Sequence, residues 1–228
     1  MGEDRKNVNL MLKTFLETFQ NKKDKPALIL KTSGAGSCIL DRDEILKKID
    51  AIRSAVGDNL PNVYLLHGEI DDAEINNLYN HPKVKAMVNI TKGEGFGRPI
   101  LEFTASKKPI IVSAWSGHMD FLDQQFTCLV GGELKNVHPS AVVQNMILAE
   151  SMWFSPNIIQ IKHYLKEVFE NYKNYIDLAK QQSHRCKTNF SFEKMKDHLS
   201  KYTDLIPKQV QIQLPKLKKI ELPKLNKA

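Results

Sequence analysis

Two glutamates, Glu94 and Glu102, have seven residues between them, at a turn that reads Gly93-Glu94-Gly95-Phe96-Gly97. Three glycines at alternate positions let a backbone come close to a ligand that side chains would hold away. The residues after the turn, Arg98-Pro99-Ile100-Leu101-Glu102, read as the start of a helix, because a proline in the first turn forfeits no intrahelical hydrogen bond. A helix start offers unpaired N–H groups and the positive end of the peptide dipole, which suits a phosphate. Glu102, one turn into that helix, is placed to accept from ribose hydroxyls. Glu94, in the turn itself, is placed to meet the hydroxyls of a sugar beyond the phosphates. Two common phosphate loops are excluded. No Gly-Lys-Ser/Thr closes the turn, and the next strand ends in Val112-Ser113-Ala114 without the acid a dinucleotide site needs.

The elements that must position these residues alternate between apolar runs and helical periodicities. Val8, Leu12, Phe15, Leu16 and Phe19 recur at helical spacing over Asn7–Asn21. Buried strands are expected at Pro26–Lys31, Val63–Leu66, Val84–Ile90, Pro109–Val112 and Cys128–Val130. Between them, Asp41 with Glu44 predicts a capping box opening a helix whose buried stripe is Ile45, Ile49 and Ile52. Asp71-Asp72 predicts a short helix to Tyr79, and Pro99 to Ser106 another. This alternation predicts an α/β fold, a parallel sheet of about five strands with right-handed crossovers and helices on both faces. Beyond Gly132, Ser155 as N-cap and Pro156 at the first helical position predict a long helix to about Lys187, and Ser191 to Leu205 a last one.

The Glu-(seven residues)-Glu pair within Gly-Glu-Gly-Phe-Gly, followed by Lys108-Pro109-Ile110-Ile111-Val112-Ser113, resembles the C-terminal, nucleotide-sugar-binding domain of retaining GT-B glycosyltransferases, family 4 or glycosyl transferases group 1. The likeness runs from about Arg5 to Leu205. Arg5-Lys6-Asn7 before an apolar helix is similar to the basic pair that holds the donor diphosphate there. Asn62 to Ile70 resembles the strand and turn near the base, which would place Ile70 against it. Ser116-Gly117-His118-Met119-Asp120-Phe121-Leu122 resembles the loop after the next strand, and Ser191-Phe192-Glu193-Lys194-Met195 the terminal helix. Lys107 stands where the family has a glycine.

The resemblance implies a single half of a GT-B enzyme that transfers a sugar with retention from a nucleoside-diphosphate sugar, UDP- or GDP-linked, with no metal or other cofactor required. It implies catalytic roles for Glu94, Lys6 and Arg5, and donor contacts from Glu102, Gly95, Phe96, Gly97, Pro99, Ile100, Ile70 and Gly117. The acceptor, a glycan, lipid or protein, would bind mostly on an N-terminal domain for which this chain has no room. The alternative is a non-catalytic nucleotide-sugar-binding or interaction module that uses a basic tail to hold a partner. A related epimerase or phosphorylase ranks third, since no lysine context for pyridoxal phosphate is seen.

Composition bounds these readings. At 228 residues with 42% hydrophobic and 26% charged residues, the chain has the make-up of a folded globular protein and not of a disordered one. Three cysteines, Cys38, Cys128 and Cys186, give no disulfide framework or zinc spacing. With no signal-like apolar start and no apolar run long enough to cross a bilayer, a cytoplasmic setting is the expectation. Asp41-Arg42-Asp43 matches an Asp-x-Asp metal motif of another fold, but its position at a helix start favours capping. The formal charge is +7. From Pro207 on, six lysines face one acid, Glu221, so that segment supplies +5 and leaves +2 for the rest. Its octads begin at Pro207, Pro215 and Pro223, which predicts a domain over residues 1–206 and an extended or disordered tail over 207–228. No specific nucleic-acid partner follows, because the basicity belongs to the tail.

Overall fold

A computed structural model describes residues 4–32 and 37–203. The expected tail at 207–228 lies outside the described residues. The chain divides into two compact units after Ser191. The first is an α/β unit in which the five expected parallel strands are present, with helices joining the first four.

Helix α1 (Val8–Phe19) buries Met11, Leu12, Phe15, Leu16 and Phe19 along one face. Each such side chain, fully buried, contributes about 1.5–3 kcal/mol. Its start is fixed by a tertiary bond: Asn7 has φ +59, and its Nδ2 donates to Ile90 O at 3.1 Å. Strand β1 (Leu28–Lys31) leads through α2 (Ile39–Val56) to β2 (Val63–Leu66), and the two strands pair in parallel from Leu28↔Val63 to Lys31↔Leu66. Helix α3 (Asp72–Asn80) crosses to β3 (Met87–Asn89), then α4 (Arg98–Thr104), β4 (Ile110–Ser113), a 3-10 turn (Gly117–Asp120) and β5 (Cys128–Val130). These strands form a parallel ladder in the order β3-β4-β5. All four residues of β4 are buried, as a central strand covered on both faces requires.

The five parallel strands are not one hydrogen-bonded sheet. Among the described residues they form a pair and a triplet, and no ladder joins β1 to β3. Side chains carry cohesion across that seam: Leu30 of β1, Ile90 just past β3 and the buried face of α1 belong to one apolar cluster, together with Ile161, Leu165 and Val168. A second cluster, Ile100, Phe103, Ile110, Val112, Phe121, Leu122 and Cys186, packs α4 against the triplet.

Three local expectations are corrected. Asp41 does not cap α2. Cys38 stands at the cap position, and Asp41 in the first turn bonds His67 Nε2 through Oδ2 at 2.7 Å. A capping box does form at Asp71 and Glu74, with Glu74 N–H to Asp71 Oδ1 at 2.7 Å and Asp71 N–H to Glu74 Oε2 at 3.2 Å. Ser155 and Pro156 open no helix. They end strand β7 (Met152–Pro156), which pairs antiparallel with β6 (Gly132–Asn136), Gly132 opposite Pro156 and Asn136 opposite Met152. The ladder and the burial of Phe154 outweigh the local Ser-Pro signal. The cap moves to Asn157, whose Oδ1 accepts from Ile159 and Gln160 N–H. The long helix is also two, α5 (Ile158–Glu170) and α6 (Tyr172–Asn189), broken at Asn171 with φ −114° and ψ 33°.

In the second unit the described residues form helix α7 (Phe192–Thr203), whose Phe192, Met195, Leu199 and Tyr202 recur at helical spacing and are exposed. Among the described residues no helix is long and apolar enough to cross a membrane, and no group of three or more His, Cys, Asp or Glu is placed to hold a metal.

Candidate functional site

The segment before α1 and the turn after β3 meet at the C-terminal ends of the triplet strands, the edge where ligands bind in open α/β sheets. Lys92 N–H donates to Arg5 O at 2.9 Å, so the backbone that carries the basic pair is held against the turn. Lys6 Nζ lies 2.5 Å from Glu94 Oε1, and Arg5 Nη1 lies 3.5 Å from Glu94 Oε2 and bonds Gly93 O. The Glu94 side chain is 10% exposed while those of Lys6 and Arg5 are about half exposed, at 52% and 45%. A mostly buried carboxylate thus turns two cations toward it at the surface, and an incoming anion would meet all three charges together.

Beneath this triad runs a polar network. Thr91 is fully buried, with Oγ1 3.1 Å from both Arg5 O and Gly93 O. Ser113 Oγ donates to Thr91 O at 2.7 Å. His118 Nε2–H donates to Ser113 O at 2.6 Å, because a carbonyl can only accept. That bond fixes the tautomer and leaves a lone pair on Nδ1, which is buried and has no hydrogen-bond partner among the described residues. Burial holds the imidazole below its ordinary pKa, against the opposing pulls of the Ser113 bond and the Glu94 charge.

Ser116 closes the turn from the other side. Its Oγ accepts from Glu94 N–H at 2.9 Å and donates to Glu94 O at 2.5 Å, while Gly117 N–H donates to the same oxygen at 3.1 Å. Ser116 does this at φ +87° and ψ −169°, a region nearly reserved for glycine and costing about 1–3 kcal/mol. Nothing in the sequence announces that strain. A Ser-Gly dipeptide predicts only a turn.

The glycines differ in their reasons. Gly97 has φ +84°, and a Cβ there would lie 3.0 Å from His118 Cβ and 3.3 Å from Ile100 Cδ1. A Cβ on Gly117 would lie 1.9 Å from Gly95 O, so the two loops touch backbone to backbone. At Gly95 a Cβ would meet nothing within 4 Å.

The helix end offers less than the sequence suggests. α4 has seven residues, Gly97 as N-cap and Pro99 in its first turn. Ile100 N–H already bonds Gly97 O at 2.9 Å, and the Ile100 side chain is fully buried in the apolar cluster. The backbone donors left there are few, so positive charge at this edge rests on Arg5 and Lys6. Pro99 is exposed, and Phe96 is 39% exposed with its ring 5.2 Å from that of Phe121.

Glu94 and Glu102 stand in separate groups of contacts. Glu102 Oε1 lies 3.2 Å from Arg98 Nε one turn back, and its charge helps to raise the pKa of Tyr79, after burial as the larger cause. Ile70 is half-buried just after β2, in the two-stranded ladder, whereas Glu94, Glu102 and Gly117 follow strands of the triplet.

No family model and no curated protein matches this chain. Solved structures do. Anabaena HepE in complex with UDP-glucose superposes with a TM-score of 0.61 at 12% identity, covering 88% of this chain and 45% of that one. Sucrose-phosphate synthase from Thermosynechococcus elongatus gives 0.57 at 17% identity, with 88% of this chain and 43% of that one. The C-terminal domain of the glycosyl transferase group 1 family protein LpcC from Francisella tularensis gives 0.58 at 18%, with 83% and 82% covered. The chain therefore spans less than half the length of the first two and most of the third. At these identities the likeness is one of fold, and the fold is that of the C-terminal half of the GT-B glycosyltransferases.

Proposed function

We propose that this chain is the donor-binding half of a glycosyltransferase, holding a nucleoside-diphosphate sugar and passing the sugar to an acceptor with retention of configuration. The observation that carries the reading is the convergence of Arg5, Lys6 and Glu94 at the C-terminal end of β3, on a fold shared with HepE, which was solved with UDP-glucose bound. In this reading the bond between the anomeric carbon and the diphosphate oxygen breaks with its electron pair leaving on the diphosphate, an acceptor hydroxyl oxygen bonds that carbon on the same face, and the hydroxyl proton leaves with the diphosphate. Lys6 and Arg5 neutralise that leaving charge, and such stabilisation is usually the largest catalytic contribution. The arriving phosphates share both cations with Glu94, whose carboxylate turns to the sugar hydroxyls. Glu102 holds the ribose, with Gly95, Phe96, Gly97, Pro99 and Gly117 around the diphosphate and sugar and Ile70 toward the base. No metal is required, because the two cations meet the charge. The acceptor site lies on a further domain.

Calorimetric titration with UDP, GDP and ADP sugars tests the reading. Binding by at least one, weakened about 10- to 100-fold in Glu102→Ala and in Lys6→Ala, is the expected result for losing hydrogen bonds to a charged group. A folded sample that binds none of them at millimolar concentration refutes it.

A further inference from the structure

The edge that carries the charged triad also carries a large exposed aromatic. Trp115 follows β4 by two residues and precedes the strained Ser116 that locks the Glu94 backbone. The residue is 42% exposed. The indole is nevertheless held in place. It lies parallel to the Phe154 ring, with centroids 6.1 Å apart and planes 7° apart. Phe154 is itself buried, and its N–H donates to Lys92 O at 3.1 Å. The β6–β7 hairpin therefore fastens the aromatic pair to the same turn that bears Glu94.

We propose that Trp115 is a stacking platform for a pyranose ring. This rests on the glycosyltransferase reading of the site. A pyranose presents an apolar face of C–H bonds and a rim of hydroxyls. It needs a flat, desolvated surface beside hydrogen-bonding groups. The exposed part of Trp115 supplies the first, and the polar groups around Glu94 and Ser116, next along the chain, supply the second. An aromatic fixed beforehand by Phe154 loses little conformational freedom when a ring settles on it. The pyranose is either the transferred sugar of the donor or a residue of the acceptor.

Trp115 and Trp153 are the two tryptophans of the chain, so Trp153→Phe leaves Trp115 as the sole indole reporter. Its emission is followed during titration with UDP, GDP, UDP-glucose, UDP-galactose and GDP-mannose, and with methyl glucoside, galactoside and mannoside in the presence of UDP. A change with a nucleotide sugar but not with the nucleotide alone assigns the donor's sugar. A change with a methyl glycoside assigns the acceptor. In parallel, calorimetry on Trp115→Ala and Trp115→Phe needs no Trp153 substitution. Trp115→Ala is expected to lose about tenfold in affinity for the responding probe, as when an aromatic stacking partner is removed. Trp115→Phe retains most of the affinity, and UDP binding changes less than about twofold in both. Nucleotides that bind while no pyranose moves the emission and Trp115→Ala binds every probe as the parent does would overturn this proposal and leave the donor-binding reading intact. An emission change with UDP alone would also overturn it, by assigning Trp115 to the base. A pyranose that binds where no nucleotide does would uphold the platform and overturn the donor-binding reading. A folded sample that binds neither overturns both.

Discussion

Alanine at Gly97 and alanine at Gly95, two residues apart in one turn, should have opposite consequences. Gly97 has φ +84°, where an L-residue costs about 1–2 kcal/mol. The added methyl would also lie 3.0 Å from His118 Cβ and 3.3 Å from Ile100 Cδ1. Both neighbours are fully buried, so neither yields without disturbing the apolar cluster under α4. Crowding of that kind adds about 1 kcal/mol, and Gly97→Ala should destabilise by about 2–3 kcal/mol. For a chain of this length that lowers Tm by about 5–10 °C. At Gly95 the φ is not in the left-handed region and the new methyl meets no protein atom within 4 Å. Gly95→Ala should therefore leave stability within about 0.5 kcal/mol of the parent but weaken nucleotide-sugar binding, if this backbone is where the ligand comes close. Urea denaturation followed by circular dichroism, with calorimetric titration of the same samples, separates the two effects. Equal stability for parent and Gly97→Ala would refute the steric account of this turn. Unchanged ligand affinity in Gly95→Ala would remove Gly95 from the site.

Three further outcomes are expected. Lys107 has φ +60° just after α4, so Lys107→Gly should raise stability by up to about 1 kcal/mol; a loss of stability in urea melts would contradict this. Burial lowers the His118 pKa from its ordinary 6.5. The unfolded chain therefore takes up a proton before the folded chain does, and stability should fall as pH drops through 6.5 toward the lowered folded value, by at most about 1.4 kcal/mol per pH unit for one proton. Urea midpoints measured across that range should flatten in His118→Gln. The Cys128 thiol is pushed up to about 12 by burial, Cys186 is buried and Cys38 is exposed. A thiol reagent at pH 8 should label Cys38 quickly and the other two only on unfolding, and rapid labelling of Cys128 in the native protein would contradict its placement.

The parts of the fold legible in the sequence are those whose signal is local. α1 shows its stripe at helical spacing, β4 its unbroken apolar run and α3 its Asp71-Asp72 opening, whereas the capping box itself falls at Asp71 and Glu74 and not at Asp41 and Glu44. The β6–β7 hairpin was not legible, because its strands lie fifteen residues apart and Ser155-Pro156 carries a stronger local signal for a helix start. The split of the sheet was equally hidden, since each strand looks the same whether or not an edge is paired. At the site, the sequence points to Arg5 and Lys6 for a diphosphate and to Glu94 for a sugar, and the ion pairs among them are a tertiary feature it does not carry. The residues that hold them, Thr91, Ser113, Ser116 and His118, are common polar types whose roles come from tertiary contacts alone.

The break between the two ladders has a mechanical consequence. Hydrogen bonds in a ladder are directional and resist sliding, whereas an apolar seam such as Leu30, Ile90 and the α1 face can shift by fractions of an ångström at small cost. Arg5 and Lys6 lead into α1, which spans that seam, while Glu94 rides on the loop of the triplet. Bonds from Lys92 N–H to Arg5 O and from Asn7 Nδ2 to Ile90 O pin that lead-in to the triplet, so a slip at the seam leaves the spacing between the cations and the carboxylate unchanged. The charged edge therefore travels as one plate, and the two-stranded ladder that precedes Ile70 is the part free to shift against it.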